Sequence, residues 1–121
     1  MHVTLLIYQT AEDVADRSRR ETAAGYWAAW PDYIGALKAA GVFVDGAGLD
    51  PIATAKTVHL DDGMVQDGPF ADTHEQLGGY FLIDVPDMAT AVTWAGRAPK
   101  AKGRKVEVRP NLIPKQYEPG A

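Results

Sequence analysis

The sequence predicts an α+β fold of the ferredoxin-like type, βαββαβ with an inserted β-hairpin. Three observations lead there. Period-two apolar segments and period-3.6 apolar stripes alternate along the chain in the order β, α, β, hairpin, β, α, β. A Gly-containing Asp-Asp-Gly turn separates two short strand-like runs where the simple fold has only a loop. The strands around Leu5 and Phe81 carry apolar residues on both sides. With both helices on one face of the sheet, that leaves an apolar face uncovered, and a face-to-face homodimer is the expected remedy.

The first strand spans Val3 to Tyr8, where Val3, Leu5 and Ile7 alternate with Thr4, Leu6 and Tyr8. From about Asp16 to Ala40, the stripe Ala23, Tyr26, Trp27, Trp30, Ile34 and Leu37 predicts a core-facing helix, with Gly41 as its stop. Pro31 lacks an N–H, so a kink or restart is expected near Trp30. Val42 to Leu49 reads as the next strand, with Gly46 and Gly48 marking a bulge or a close backbone approach. Ala53 to Leu60 and Met64 to Gln66 flank Asp61-Asp62-Gly63 as the inserted hairpin.

Gly79 to Val85 is the strongest strand and is expected at the sheet centre, with Phe81, Ile83 and Val85 on one side and Tyr80 and Leu82 on the other. Asp87 is placed to cap a helix whose buried stripe is Met88, Ala91, Val92 and Ala95, closed by Pro99. Val106 and Val108 alternate with Lys105, Glu107 and Arg109 as a last, half-exposed strand. One domain is expected over residues 1–110, followed by a polar, Pro-containing tail over 111–121.

Composition narrows the function. The 121 residues suffice for one hydrophobic core, and 46% hydrophobic with 23% charged residues is an ordinary globular balance. The absence of cysteine excludes disulfides, thiolate catalysis and cysteine-held clusters or zinc. A formal charge of −4 argues against direct nucleic-acid binding. The basic cluster Lys100, Lys102, Arg104, Lys105 and Arg109 could hold an anion, but reads first as a solvated loop and strand edge. The opening apolar run is too short to cross a bilayer and lacks the basic start of a signal peptide, so a cytoplasmic protein without membrane attachment is expected.

Residues 66–86 read QDGPFADTHEQLGGYFLIDVP, with Asp67, Gly68, Pro69 and Phe70 forming a DGPF motif. Together with LLIY, AAGVFVDGAGLDP and VEVRP, this segment resembles the DGPF branch of the YCII-related proteins. The resemblance implies a dimeric α+β barrel in which two ferredoxin-like sheets pack face to face and enclose a small cavity between sheet and helices. It implies two kinds of function. Some YCII-related members look like lyase-type or dehydrohalogenating enzymes on small ring substrates, and DGPF members are linked to transcription initiation through sigma factors. The branch suspected of catalysis carries a His in the first helix and an Asp-Pro-Tyr after the second. Here no His occurs between Glu12 and Ala40, and the later position reads Ala98-Pro99-Lys100, so that His–Asp pair cannot operate.

Other residues are left as candidates. His74 sits between Asp72 and Glu75, where a carboxylate would tune it as a general base; the competing reading is a capping box from Asp72 to Glu75 with His74 exposed. Asp67 either closes an Asx-turn or is aimed into the cavity as acid or base, beside Phe70 as an apolar wall. Tyr26, Trp27 and Trp30 would line a flat ligand or simply fill the core, and Tyr8 would add a hydroxyl. His2, His59 and His74 show no ligand spacing, so no metal site is predicted, and without a Gly-rich phosphate loop or nucleophile elbow no cofactor is expected. The reading that results is a homodimeric enzyme or binding protein for a small molecule, with a regulatory partner of the sigma-factor machinery as the alternative.

Overall fold

The structure, a computed structural model, describes residues 1–71 and 73–113. Strand β1 (His2–Thr10) leads directly into a short helix α1 (Ala11–Ala15), whose start is capped by the Thr10 hydroxyl accepting from the Asp13 N–H at 3.1 Å. Helix α2 (Ala23–Ala39) and strand β2 (Phe43–Gly48) follow, then a hairpin of β3 (Lys56–Val58) and β4 (Val65–Asp67). Strand β5 (Glu75–Asp84), helix α3 (Met88–Gly96) and strand β6 (Lys105–Pro110) complete the chain. The main sheet is antiparallel in the order β2-β5-β1-β6, the ferredoxin-like arrangement, and β3 and β4 pair only with each other. No helix among the described residues is long and apolar enough to cross a membrane.

Alternation decides which side of the sheet becomes core. Val3, Leu5 and Ile7 of β1 and Phe81 and Ile83 of β5 pack against Tyr33 and Leu37 of α2 and Ala91 and Trp94 of α3. At the end of α2 the Gly41 N–H donates to the Lys38 carbonyl, and the Val42 N–H donates to that of Leu37. Gly41 adopts φ 73°, the left-handed geometry that lets both bonds form and stops the helix. The Asp87 carboxylate accepts from the Thr90 N–H at 2.8 Å and caps α3 as its position in the sequence suggested.

Several expectations are corrected. The predicted Asp16–Ala40 helix starts only at Ala23, and the separate helix α1 ends before Asp16; residues 16–22 form a non-helical link held by the Thr22 hydroxyl donating to the Asp16 carbonyl and the Trp27 indole N–H donating to the Arg17 carbonyl. Helix α2 runs through Pro31 as one element rather than restarting there. In α3, Trp94 is buried and Val92 is exposed, since the Trp94 ring reaches the core while Arg97 stacks on it 4.2 Å from the centroid. Glu75 lies in β5 opposite Thr10, so it completes no capping box, and its carboxylate pairs with Lys105. Arg104 is not a solvated edge residue: its side chain is 6% exposed and ion-paired with Asp13.

Candidate functional site

The inward positions of β1 continue past Ile7 to Gln9, a polar side chain only 1% exposed. Burial of an amide demands partners, and the local backbone makes room for them. Between Ile7 and Tyr8 the β1–β5 register shifts, pairing Ile7 with Gly79 and Tyr8 with Leu77, so Gly78 bulges out unpaired. A Cβ on Gly78 would lie 2.0 Å from Gln9 Oε1 and 2.9 Å from Arg17 Nη2, so only glycine leaves the amide its place.

Beside this bulge lies a cleft of about 360 Å³ between α2 and the β2–β5 edge of the sheet. One wall is bare backbone at Gly46, Gly48 and Gly79, and the facing wall is Tyr26, Trp30 and Ile34, one helical turn apart along α2. Phe81 connects the walls: its ring stacks on Trp30 with centroids 6.2 Å apart, and a Cβ on Gly46 would strike it at 2.6 Å. Bulkier side chains along that strand edge would close the cleft.

The inner end of the cleft is polar. Arg17 donates from Nε to the Tyr26 hydroxyl at 3.1 Å, and from Nη2 to Gln9 Oε1 at 2.5 Å and the Gly78 carbonyl at 3.0 Å. Its Nη1 donates to the Leu49 carbonyl, just beyond β2. Gln9 Nε2 donates to the Tyr26 hydroxyl at 2.6 Å. The guanidinium also lies 5.7 Å from the Tyr26 ring centroid and 5.9 Å from that of Trp27, a cation–π geometry.

A second guanidinium backs the same aromatics. Arg104 lies 5.3 Å from the Tyr26 centroid and 5.1 Å from that of Trp30. It is neutralised by Asp13 in a bidentate pair and also donates to the Pro99 carbonyl at 2.6 Å. Tyr26 is therefore held between two arginines. One has a carboxylate partner; among the described residues no carboxylate lies within 4.0 Å of the other, Arg17.

Of the residues singled out from sequence, Tyr26 and Trp30 line the cleft, with Trp27 at its side. Tyr8 belongs to the opposite face of β1, opposite Lys105 of β6. Asp67 and Phe70 lie on the hairpin and the turn after it, 88% exposed at the Asp67 side chain and 83% at Phe70, and His74 is exposed ahead of β5. Asp72 lies outside the described residues. The Asp67 carboxylate accepts from Lys56 Nζ at 2.6 Å rather than closing an Asx-turn. The turn is instead held by the Gly68 N–H donating to the Ala55 carbonyl at 2.7 Å, with Gly68 at φ 91°. His59 pairs with Gln66 at 3.1 Å on the hairpin. Gln9 and Arg17, which form the polar end of the cleft together with the Tyr26 hydroxyl, are not singled out by the sequence; the available signal for Gln9 is a polar residue in the fourth inward position of β1.

Residues 1–111 match the YCII-related domain. The chain is also similar to an uncharacterised protein of Rhizobium meliloti (strain 1021), 38% identical over 78 residues that make up 61% of this chain and 60% of that protein. The chain thus matches about three fifths of the length of that curated relative.

Proposed function

The chain belongs to the YCII-related domain family, and from that premise we propose that it takes a small, flat organic molecule into the cleft between α2 and the sheet. One observation carries this reading: an aromatic-walled cavity of about 360 Å³ ends in a converging, partly buried cluster of Gln9, Arg17 and Tyr26. Small-molecule sites have this composition, an apolar body with a few placed polar groups, and volumes from roughly 300 Å³ upward. A filled core would need neither the glycine wall nor a guanidinium at its inner end.

The proposal includes homodimerisation through the open face of the sheet. Leu6 and Tyr8 of β1 and Tyr80 and Leu82 of β5 are half-buried on that face, bordered by Lys105, Glu107 and Arg109 of β6. Pairing two such faces would remove the apolar centre from water and leave both clefts open on the helix side.

Crystallographic fragment screening tests the cleft. A Cβ on Gly48 meets nothing within 4 Å, and Gly48 pairs with the inward-facing Gly79, so Gly48→Leu projects an apolar side chain into the cleft. Fragment density in the wild-type cleft and its loss in the folded variant are expected. Fragments that bind elsewhere, or persist in the variant, would overturn the assignment.

A further inference from the structure

We propose that the ligand of this cleft is an organic carboxylate, received by the Tyr26 hydroxyl and the Arg17 guanidinium at the inner end and carrying an apolar ring between Trp30 and the glycine wall. This rests on the reading of the cleft as a small-molecule site. It follows from an inventory of donors and acceptors, and independently from charge.

A guanidinium only donates. Arg17 Nη2 therefore fixes Gln9 Oε1 as an acceptor, which leaves Gln9 Nε2 as the end of the amide facing Tyr26. That nitrogen also only donates. The Tyr26 oxygen thus receives two hydrogen bonds, one from Gln9 at 2.6 Å and one from Arg17 Nε at 3.1 Å, and both of its lone pairs are occupied. Its own hydrogen has no acceptor among the described residues, and Tyr26 lines the cleft. The hydroxyl is therefore a donor without a partner among the described residues, available to an oxygen that enters the cleft.

Arg17 points to the same conclusion. Four of its five N–H groups go to Tyr26, Gln9, Gly78 and Leu49, all uncharged acceptors, which leaves one Nη1 hydrogen without a partner among the described residues. Among the described residues no carboxylate lies within 4.0 Å of Arg17, whereas Arg104, on the other side of the same ring, has Asp13. A cationic ligand would be repelled by the guanidinium at the inner end. A neutral carbonyl would accept from Tyr26 but leave that charge as it is. A carboxylate satisfies both, since charge-assisted hydrogen bonds are the strong ones. The remaining lining is aromatic and aliphatic, so the rest of the ligand is apolar and of single-ring size.

The experiment is isothermal titration of the full chain with benzoate, phenylacetate and cyclohexanecarboxylate, each against its primary amide of matching shape. The acids are expected to bind roughly tenfold or more tightly than the amides, the range of one charge-assisted hydrogen bond. Tyr26→Phe, which keeps the ring between the arginines, should shrink that ratio, and Arg17→Met should abolish it. Gly48→Leu should abolish binding of acids and amides alike. Amides binding as well as acids, with both lost in Gly48→Leu, would overturn the carboxylate while leaving the cleft intact. Binding of neither set would overturn both. An acid preference that survives Tyr26→Phe unchanged would also overturn the proposal, and this variant decides the matter if Arg17→Met fails to fold.

Discussion

The Asp13 carboxylate and the Arg104 guanidinium, 91 residues apart in sequence, meet in two parallel hydrogen bonds of 2.8 and 2.7 Å with their side chains 2% and 6% exposed. The pair ties α1 to the approach to β6 and holds a cation behind Tyr26 and Trp30. Such a pair is costly to desolvate, yet removing one partner strands the other charge. Asp13→Ala and Arg104→Met should each lower the unfolding free energy by about 3–5 kcal/mol, and Asp13→Leu combined with Arg104→Met should recover much of it. Urea unfolding of the three variants measures this. Single variants within about 1 kcal/mol of wild type would show that the pair is solvated in solution.

Gly78 gives a second prediction. Gly78→Ala places a methyl group where Gln9 Oε1 lies, so the amide must leave and Arg17 loses an acceptor. A loss of about 1–3 kcal/mol is expected from overpacking and a displaced buried amide. In a Gly78→Ala, Gln9→Ala double variant the clash disappears, so the two changes should cost less together than their sum. Strict additivity would mean that the two residues do not compete for space.

Tyr33 predicts a response to alkaline pH. Its hydroxyl donates to the Trp94 carbonyl at 2.8 Å inside the core, and burial pushes its pKa up to about 12, against a smaller opposing effect of Arg97. The folded state therefore holds the phenolic proton more tightly than the unfolded chain, whose tyrosines titrate near 10. The stabilisation is complete below pH ~10 and declines as pH rises toward about 12. Thermal unfolding followed from pH 8 to 11.5 should show this decline, and Tyr33→Phe should flatten it. An equal slope in the variant would assign the effect to other groups.

The proposed homodimerisation is tested by mass. Light scattering at micromolar concentration should give about twice the 13.1 kDa chain mass. Leu6→Arg, which places a charge at the centre of the open face, should return a folded monomer. A wild-type monomer at that concentration would remove the face-to-face pairing.

Most of the sheet was legible because alternation is a local signal: the inward Phe81 and Ile83 and the outward Tyr80 and Leu82 lie as the sequence implied. Helix α2 was legible in its aromatic stripe but not in its start. The residues between the helices are held by bonds from Thr22 and Trp27 that no periodicity reveals. The same limit hid half of the site. Tyr26 and Trp30 stand at helical spacing, but Arg17 acquires its meaning from carbonyls 32 and 61 residues further on. Gln9 lies one residue past the expected end of the first strand, and its role comes from the bulge at Gly78, 69 residues further on. Arg104 was hidden by its basic neighbours, since composition cannot show that one of five cations points inward.

The hairpin of β3 and β4 hydrogen-bonds in its own two-stranded sheet, and the chain leaves the main sheet for it at Leu49, whose carbonyl caps Arg17 and whose N–H donates to the Gly78 carbonyl at 2.8 Å. The excursion therefore departs from the rim of the cleft without contributing a rung to the four-stranded ladder. A change of length within the β3–β4 turn therefore leaves the pairing of β2, β5, β1 and β6 without a rung to lose. The four-stranded ladder is thus complete without any hydrogen bond from the hairpin.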